Sequence, residues 1–543
     1  MTADVIEQTR ELLGTAREIY EGERESLALI DRLEVRLDEP LRLAVAGMVK
    51  AGKSTLLNAM LGERIAATDT GECTRVVTWY RYSATPTVTM HLRQGPPQRM
   101  AIRRDQGLLQ FDLGGRTAEE IEWIDVGWPL SGLKDQILID TPGIASLSED
   151  TSARAARFLT PEEAPSAADA VIYLMRHLHG SDLKFLEAFR DTAAGAAQSV
   201  CAVAVLSRCD EVGSGRIDSL LSARKVAARY ERDGDLAHLA LGVIPVTGLV
   251  AEGARTLRES EFIAFRALAG MERTDRERLM VSADRFTRVA DAAGLSAQVR
   301  QDLLARFGMF GVRLATAIIR GGADSSSALS AAMVEQSGLD GLQEFVRQQF
   351  HPRAATLKAR GVILQLGALV ERSPRPGDER IRAGIERFTA SAHTLRELSL
   401  LAVARADGLP LEPDDALCAQ RILGADGVAP RTRLALPDEA SDAEVASAAE
   451  AEISRWRSIM ESPLTERAAA AVCRAVIRSL SDVVSELGAP RALRPAPHID
   501  PPGGPGEGSG QDAEQQGEQD KRRLRRQKWL NPRSLLAERN PLR

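Results

Sequence analysis

No apolar run in this 543-residue chain approaches the roughly 18 residues that cross a bilayer. The longest such stretches, CAVAVL at 201–206 among them, suit buried strands instead. Aromatic residues make up only 4% of the chain, which turns the expectation away from β-sandwiches and towards long helices. The five cysteines, Cys73, Cys201, Cys209, Cys418 and Cys473, are odd in number, scattered and in no metal-like spacing, as expected of reduced thiols in a cytoplasmic protein. There is no excess of positive charge: the formal net charge is −6, so no nucleic-acid partner is expected. The first residues, MTADVIEQTRELLG, are charged and amphipathic, unlike a secretory signal.

What is present is core-forming material, 44% of all residues, over a length that suits two to four domains. Leu12, Leu13, Ala16 and Ile19, then Leu27, Ile30 and Leu33, recur at helical spacing, so residues 4–36 are expected to form one amphipathic helix that ends before Pro40. Short apolar segments at 41–46, 76–82, 87–93, 137–140, 170–175, 200–206 and 243–246 then alternate with helical patterns. That alternation predicts an α/β layer with a mostly parallel sheet. Beyond about 255 the pattern is helical to 488, with breaks at 320–327, 372–379 and 407–415. The expected organisation is therefore an N-terminal helix at 1–39, an α/β domain at 40–255, a helical bundle at 256–488, a Pro/Gly-rich polar linker at 489–520 and a basic tail at 521–543.

The chemistry starts at VAGMVKAGKSTLLNAMLG, residues 45–62. Gly47 to Ser54 fits G-x-x-x-x-G-K-[ST], preceded by a strand pattern and followed by a helix pattern. Gly47 and Gly52 allow turns that a Cβ would obstruct, so that amides of Val49, Lys50 and Ala51 can face phosphate oxygens. The positive end of the following helix points at the anion, Lys53 reaches the β/γ oxygens, and the Ser54 hydroxyl, with Thr55 beside it, is placed for Mg2+ and phosphate. Later, ILIDTPGI (137–144) ends a strand in Asp140, which can hold Mg2+ through water, and Gly143 offers an amide to a γ-phosphate. VAVLSRCDEV (203–212) places Ser207, Arg208 and Asp210 at another strand end. A carboxylate there accepts from N1–H and the 2-amino group of guanine, which adenine cannot match. VIPVTGL (243–249) offers the backbone of Thr247 to guanine O6. The expected ligands are GTP or GDP with Mg2+.

These motifs in this order resemble the GTPase domain of translation factors, Ras-like and dynamin-like proteins. Two departures are Arg208, where a Lys usually packs on the base, and the loose PVTG. The long interval from Lys53 to Asp140, with ATDTGECTRVVTWYRY (67–82) and an expected extra hairpin, is similar to the dynamin family. GMVKAGKSTLLNAMLG, LMRHLHGSDLKFLEAF, RFGMFGVRLATAII and SGLDGLQEFVRQQFHPRAATLKAR resemble bacterial dynamin-like GTPases, in particular the actinobacterial branch that includes the isoniazid-induced proteins. The resemblance implies that Thr74 closes on Mg2+ and the γ-phosphate as the switch threonine, with Thr68, Thr70 and Thr78 as weaker candidates. It also exposes a difference: dynamins carry Gln and Ser where this chain has Val49 and Lys50. Lys50 either substitutes for a cation's charge in catalysis or is a solvent-facing, phosphate-steering group; both readings stay open. His177 and His179 read as bland neighbours of a helix cap at Ser181-Asp182.

The resemblance further implies that the flanking helices form a neck and stalk whose angle to the head follows nucleotide state, and that heads pair, in a homo-dimer or with a second dynamin-like protein. Leu329, Met333, Leu339, Leu342, Phe345 and Phe350, and separately Val472, Val476, Leu480, Val483 and Leu487, are expected to line the bundle seam. The tail joins Lys521, Arg522, Arg523, Arg525, Arg526 and Lys528 to Trp529, Leu530, Leu535 and Leu536, a pattern that suits either an anionic membrane face or a protein partner. Two functions remain in view: a membrane-associated GTPase on the inner face of the cell membrane, and a GTP switch that recruits partners without remodelling lipid.

Overall fold

The computed structural model describes residues 2–66, 76–105, 108–110, 113–142, 168–194, 201–212, 218–232, 236, 239–289 and 293–488. The expected linker and basic tail, and with them Thr68, Thr70, Cys73, Thr74 and Gly143, lie outside the described residues.

The chain begins with two helices, α1 (Thr2–Ile19) and α2 (Arg24–Asp38), where one was expected. Gly22, in the left-handed region at φ 87°, turns the chain between them. Tyr20 fixes the turn, its hydroxyl donating to the carbonyl of Ser373 at 2.8 Å. The apolar periodicity continues across the break because both helices face the same later helix, Ala354–Arg372. Periodicity records the buried face and does not register the reversal of direction.

The strands follow as β1 (Leu41–Gly47), β2 (Thr78–Tyr82), β3 (Thr87–Leu92), β4 (Gln98–Arg99), β5 (Arg103–Asp105), β6 (Leu108–Gln110), β7 (Ile121–Trp128), β8 (Gln136–Asp140), β9 (Ala170–Met175), β10 (Ala202–Leu206) and β11 (Val243–Pro245). Nine of them form one sheet in the order β11-β10-β9-β1-β8-β2-β7-β3-β4, and β5 pairs with β6. From β11 to β8 all pairings are parallel. Strands β9 and β10 are buried at every position, as parallel strands covered on both faces must be. The extension alternates: β2 is antiparallel to β8, β7 parallel to β2, and β3 antiparallel to both β7 and β4. Strand β7, absent from the sequence reading, is interrupted by the polar Glu122 and Asp125 on its open face.

Three helices bear on the site: α3 (Lys53–Leu61), α4 (Gly180–Ala194) and α5 (Ser219–Arg232), with a further short one, α6 (Gly248–Arg255), after β11. The breaks at 320–327, 372–379 and 407–415 separate helices ending at Arg320, Arg372 and Ala406 from those beginning at Ser326, Asp378 and Pro413.

The apolar interior falls into three clusters. Leu13, Ala16, Ile30 and Leu33 of the N-terminal helices pack with Val362, Leu366 and Val370, so helices from both flanks of the α/β layer do form one bundle. Val472, Val476, Leu480 and Val483 pack with Val445 and Trp456 in a second helical group, as the late seam was expected to do. The earlier seam is corrected: Leu329, Met333, Leu339, Leu342 and Phe350 are buried in the same cluster as the sheet, and Phe345 packs against it. Those helices cover α6 instead of the N-terminal pair, so packing does not stop at residue 255. The four described cysteines are free thiols. No described helix is long and apolar enough to cross a membrane.

Candidate functional site

Parallel pairing brings the C-terminal ends of β1, β8, β9, β10 and β11 to one edge of the sheet, where the strand-end motifs meet. The loop after β1 holds three residues in left-handed backbone: Gly47 at φ 146°, Lys50 at 64° and Gly52 at 98°. At Gly47 glycine is obligatory, because a Cβ there would lie 2.3 Å from the carbonyl oxygen of Leu174. Lys50 adopts a conformation that a β-carbon disfavours; the sequence pattern gave no sign of this. Lys50 and Val49 are both exposed, in keeping with the solvent-facing reading of Lys50. Ala51 is buried, its amide donating to Met48 O at 3.2 Å to close the turn.

Gly52 starts α3, and the first helical hydrogen bond within it runs from Leu56 N to Gly52 O. The amides of Lys53, Ser54 and Thr55 therefore face outward with no partner inside the helix. Lys53 folds back over the loop, its Nζ donating to the carbonyls of Gly47 at 3.2 Å and Met48 at 3.3 Å. Burial pushes its ammonium below the usual lysine range, partly offset by Asp140. Those two carbonyl contacts are weak replacements for an anion.

Register places Asp140 beside Val45 on the neighbouring strand. The Ser54 hydroxyl donates to the Asp140 carboxylate at 2.9 Å. Burial raises the Asp140 carboxyl to about 6, against the opposing pull of Lys53 and Ser54. A half-buried carboxylate and a hydroxyl in direct contact supply oxygen donors of the kind hard divalent cations prefer, so Asp140 and Ser54 fit Mg2+, while the Lys53 ammonium beside them suits the anion. Among the described residues no group of three or more His, Cys, Asp or Glu side chains forms a separate metal site. The following Thr141 is buried and donates its hydroxyl to Val45 O at 2.9 Å, fixing where β8 ends.

On the base side, Ser207 is structural: its amide and hydroxyl both donate to Met175 O, at 2.8 and 3.1 Å. Arg208 is left-handed at φ 52° and its guanidinium donates to Glu211 at 2.8 Å, with Arg176 on the same carboxylate. Stacking of Arg208 on a base would require it to leave that pair. Asp210 lies in a short 3-10 turn, its carboxyl raised by burial and by Glu211 and lowered by the backbone and by Arg208. The role expected of Thr247 is corrected. Its amide donates to Ser337 O at 2.8 Å and is not available to a base. Its buried hydroxyl has no hydrogen-bond partner among the described residues. The open amide of this loop is that of Gly248, the first residue of α6, which packs on Thr55 and Leu56. A helix start immediately after Thr247 was the signal that would have found it. Thr78 is buried in β2, its hydroxyl turned to Val76 O, and does not enter the site.

Among the described residues no hydrogen bond or ion pair joins the imidazoles of His177 and His179 to Lys53, Ser54 or Asp140. Asp182 accepts from the His179 amide at 2.9 Å and from the Tyr173 hydroxyl at 2.6 Å, so the expected cap at the start of α4 is present and buried. Asn58, not singled out in the sequence, accepts from the amides of Ile65 and Ala66 at 2.9 and 2.7 Å and donates to Glu252 at 3.3 Å. It thereby fixes the backbone that leads into residues 67–75.

Comparison with known proteins supports the same reading. The family model described as "Dynamin family" matches residues 43–187. The isoniazid-induced protein IniC of Mycobacterium tuberculosis is 39% identical over 462 residues, covering 85% of this chain and 93% of IniC. IniA of the same organism is 33% identical over 129 residues, 22% of this chain and 20% of IniA. The bacterial dynamin-like protein of Nostoc punctiforme is 32% identical over 124 residues, 21% of this chain and 17% of that protein. A solved oligomerised bacterial dynamin pair overlays 90% of this chain on 79% of its own at 12% identity, with a TM-score of 0.31, too loose to compare the placement of parts. A phosphate loop followed by a strand-end Asp-Thr-Pro-Gly, within a chain alike to IniC along most of both lengths, means that this protein belongs to the dynamin family of GTPases.

Proposed function

We propose that the chain binds GTP with Mg2+ at the edge formed by β1, β8, β10 and β11, hydrolyses it, and uses the cycle to change how its heads pair and how its flanking helices lie against a membrane. The observation that supports this reading most is the contact of Ser54, in the first turn of α3, with Asp140 at the end of β8, next to Lys53, which is folded over the loop after β1. Amides of residues 53–55 and the Lys53 ammonium receive the β/γ oxygens. Ser54 and Asp140 would hold the cation. When bound, Mg2+ neutralises charge that develops on the bridging and terminal oxygens. Asp210 reads guanine by accepting from N1–H and the 2-amino group, and the Gly248 amide meets O6. Thr74 and Gly143 are assigned to the γ-phosphate by resemblance. Val49 has no polar atom with which to position water, so that role falls to a residue of the switch stretches.

We assign residues 1–39 and the helices beyond 353 to the neck and stalk, and residues 521–543 to contact with an anionic inner membrane face. The partner in head pairing is a second copy or another dynamin-like protein. The test is GTP turnover against protein concentration, with and without anionic liposomes. Turnover per molecule should rise steeply with concentration and further with liposomes, and Lys53→Ala should abolish it. A flat profile, with no liposome binding, would leave a GTP switch that recruits protein partners.

A further inference from the structure

The end of α3 away from the phosphate loop opens onto a second cavity. Its volume is about 500 Å3, within the size range of small-molecule sites. The nine residues of α3 span about 13 Å, so this cavity is distinct from the nucleotide edge. Its wall draws on five separate parts of the chain. Glu63 and Arg64 follow α3, Trp128 ends β7, Thr256 and Arg258 lie in the turn after α6, and Arg306 projects from the helix Ala297–Arg320. Pro86 and Pro129 complete an apolar side next to Trp128.

Three guanidiniums thus converge on one hollow. Two are braced from behind. Arg64 donates its Nε to Glu252 at 2.8 Å, and Arg306 pairs with Glu261 at 2.6 Å and donates to Thr256 O at 2.8 Å. Neither brace uses every donor of the planar fork. Arg258 has no ion pair among the described residues; its backbone caps the next helix, the amide donating to the Glu261 carboxylate at 2.8 Å and the carbonyl accepting from the amides of Glu261 and Phe262 at 3.0 Å. Burial depresses the Arg306 guanidinium, and the positive charges of Arg258 and Arg64 depress it further while Glu261 opposes them. The lone acid on the wall, Glu63, accepts from the Trp128 indole at 3.2 Å.

We propose that this cavity is a second anion site, built for a small molecule bearing phosphate or pyrophosphate. Converging guanidinium forks, two of them braced, present several N–H donors of the kind phosphate oxygens accept, and the apolar side made by Pro86, Pro129 and the edge of the buried Trp128 suits an attached organic group. Carboxylates alone would leave most of the volume and most of the donors unused. The site also has a route to the rest of the domain. Arg64 shares Glu252 with Asn58, and Asn58 holds the amides of Ile65 and Ala66 at the entrance to residues 67–75. A ligand that draws Arg64 forward competes with Glu252 and loosens that entrance.

The test is titration calorimetry with sodium pyrophosphate on the full chain carrying Lys53→Ala, so that the phosphate loop does not compete. Saturable binding is expected, weakened at least tenfold by adding Arg258→Ala or Arg258→Gln and weakened by salt. Arg258→Lys should restore part of the affinity. Equal thermal midpoints of the variants would show that the fold is retained. No saturable heat in the Lys53→Ala chain, or the same affinity with and without Arg258, would overturn the proposal. The outcome is independent of the nucleotide reading: GTP binding by the otherwise native chain reports on one site and the Arg258 comparison on the other.

Discussion

Arg36, near the end of α2, donates to the carboxylate of Asp169, the residue before β9, and the two side chains are only 7% and 4% exposed. Asp169 also accepts from the amide of Arg42 at 2.7 Å and returns its own amide to Arg42 O at 2.8 Å. Lys358 closes the arrangement from another helix by donating to Leu37 O and Glu39 O at 2.7 and 2.9 Å. One ion pair therefore joins an N-terminal helix to the first and ninth strands. Removing one partner leaves a buried charge without its main counter-ion, Arg36 keeping only the longer pairing to Glu39 at 3.6 Å and Asp169 only backbone contacts. Asp169→Asn or Arg36→Met is expected to cost about 3–5 kcal/mol, read by urea unfolding, whereas the double replacement should recover much of the loss.

The Asp140 carboxyl predicts a pH dependence of cation binding. Its pKa is raised by burial from the usual aspartate value to about 6. A raised pKa favours the protonated group in the folded chain, so this contribution to the stability of the ligand-free fold is fully present below pH 3.8 and is lost as pH rises through 6. Binding of a cation requires the ionised form. Magnesium affinity of the nucleotide complex should therefore fall about tenfold per pH unit below 6, from the release of one proton. Asp140→Asn should bind magnesium weakly at all pH values and remove that slope, as measured by titration calorimetry between pH 5 and 8.

Lys53 sets affinity against stability. Its ammonium is depressed by burial against the opposing charge of Asp140, and among the described residues it donates to two carbonyl oxygens, at 3.2 and 3.3 Å. Lys53→Met should raise the thermal midpoint of the ligand-free protein. The same variant should weaken triphosphate binding by about 10- to 100-fold, the loss of one charged hydrogen bond of about 1.5–3 kcal/mol. A fluorescent GTP analogue and a thermal melt read both effects on one sample.

Gly47→Ala tests the loop geometry. The new methyl would meet the Leu174 oxygen at 2.3 Å, in backbone at φ 146°. Strain of about 1–3 kcal/mol and a displaced loop are expected, with loss of nucleotide binding. Gly52→Ala would meet no neighbour within 4 Å, although its φ of 98° is also strained, and should be the milder of the two.

Base choice should follow Asp210. In place of the carboxylate, Asp210→Asn offers one acceptor and one donor, which matches the N1–H and the C2 carbonyl of xanthine. A swing of preference from GTP towards XTP, read by competition, is expected. Retained GTP preference would place base recognition elsewhere.

Much of this was legible before the fold was known. Strand-end motifs carry their own geometry: once β8, β1, β9 and β10 run parallel side by side, Gly47, Asp140 and Asp210 must share an edge. Less legible was anything fixed by partners far along the chain. The turn at Gly22 is held by Ser373, and the Thr247 amide is taken by Ser337, contacts that no local pattern announces. Residues such as Leu329 and Met333 have helical spacing, but spacing alone does not say which surface they cover. Strand β7 was hidden because one open face lets Glu122 and Asp125 interrupt its apolar run.

Gly338 rests against Pro245 so closely that a Cβ would lie 2.1 Å from its carbonyl oxygen, one residue beyond the Ser337 oxygen that holds Thr247. For anyone trimming the gene to express a minimal catalytic unit, this contact sets the cut. A fragment stopping at 255 would lose the brace under the Thr247 loop and bare the apolar underside of α6. A workable fragment has to carry the chain at least through Leu357, the last member of that interior before the chain crosses into its neighbour bundle.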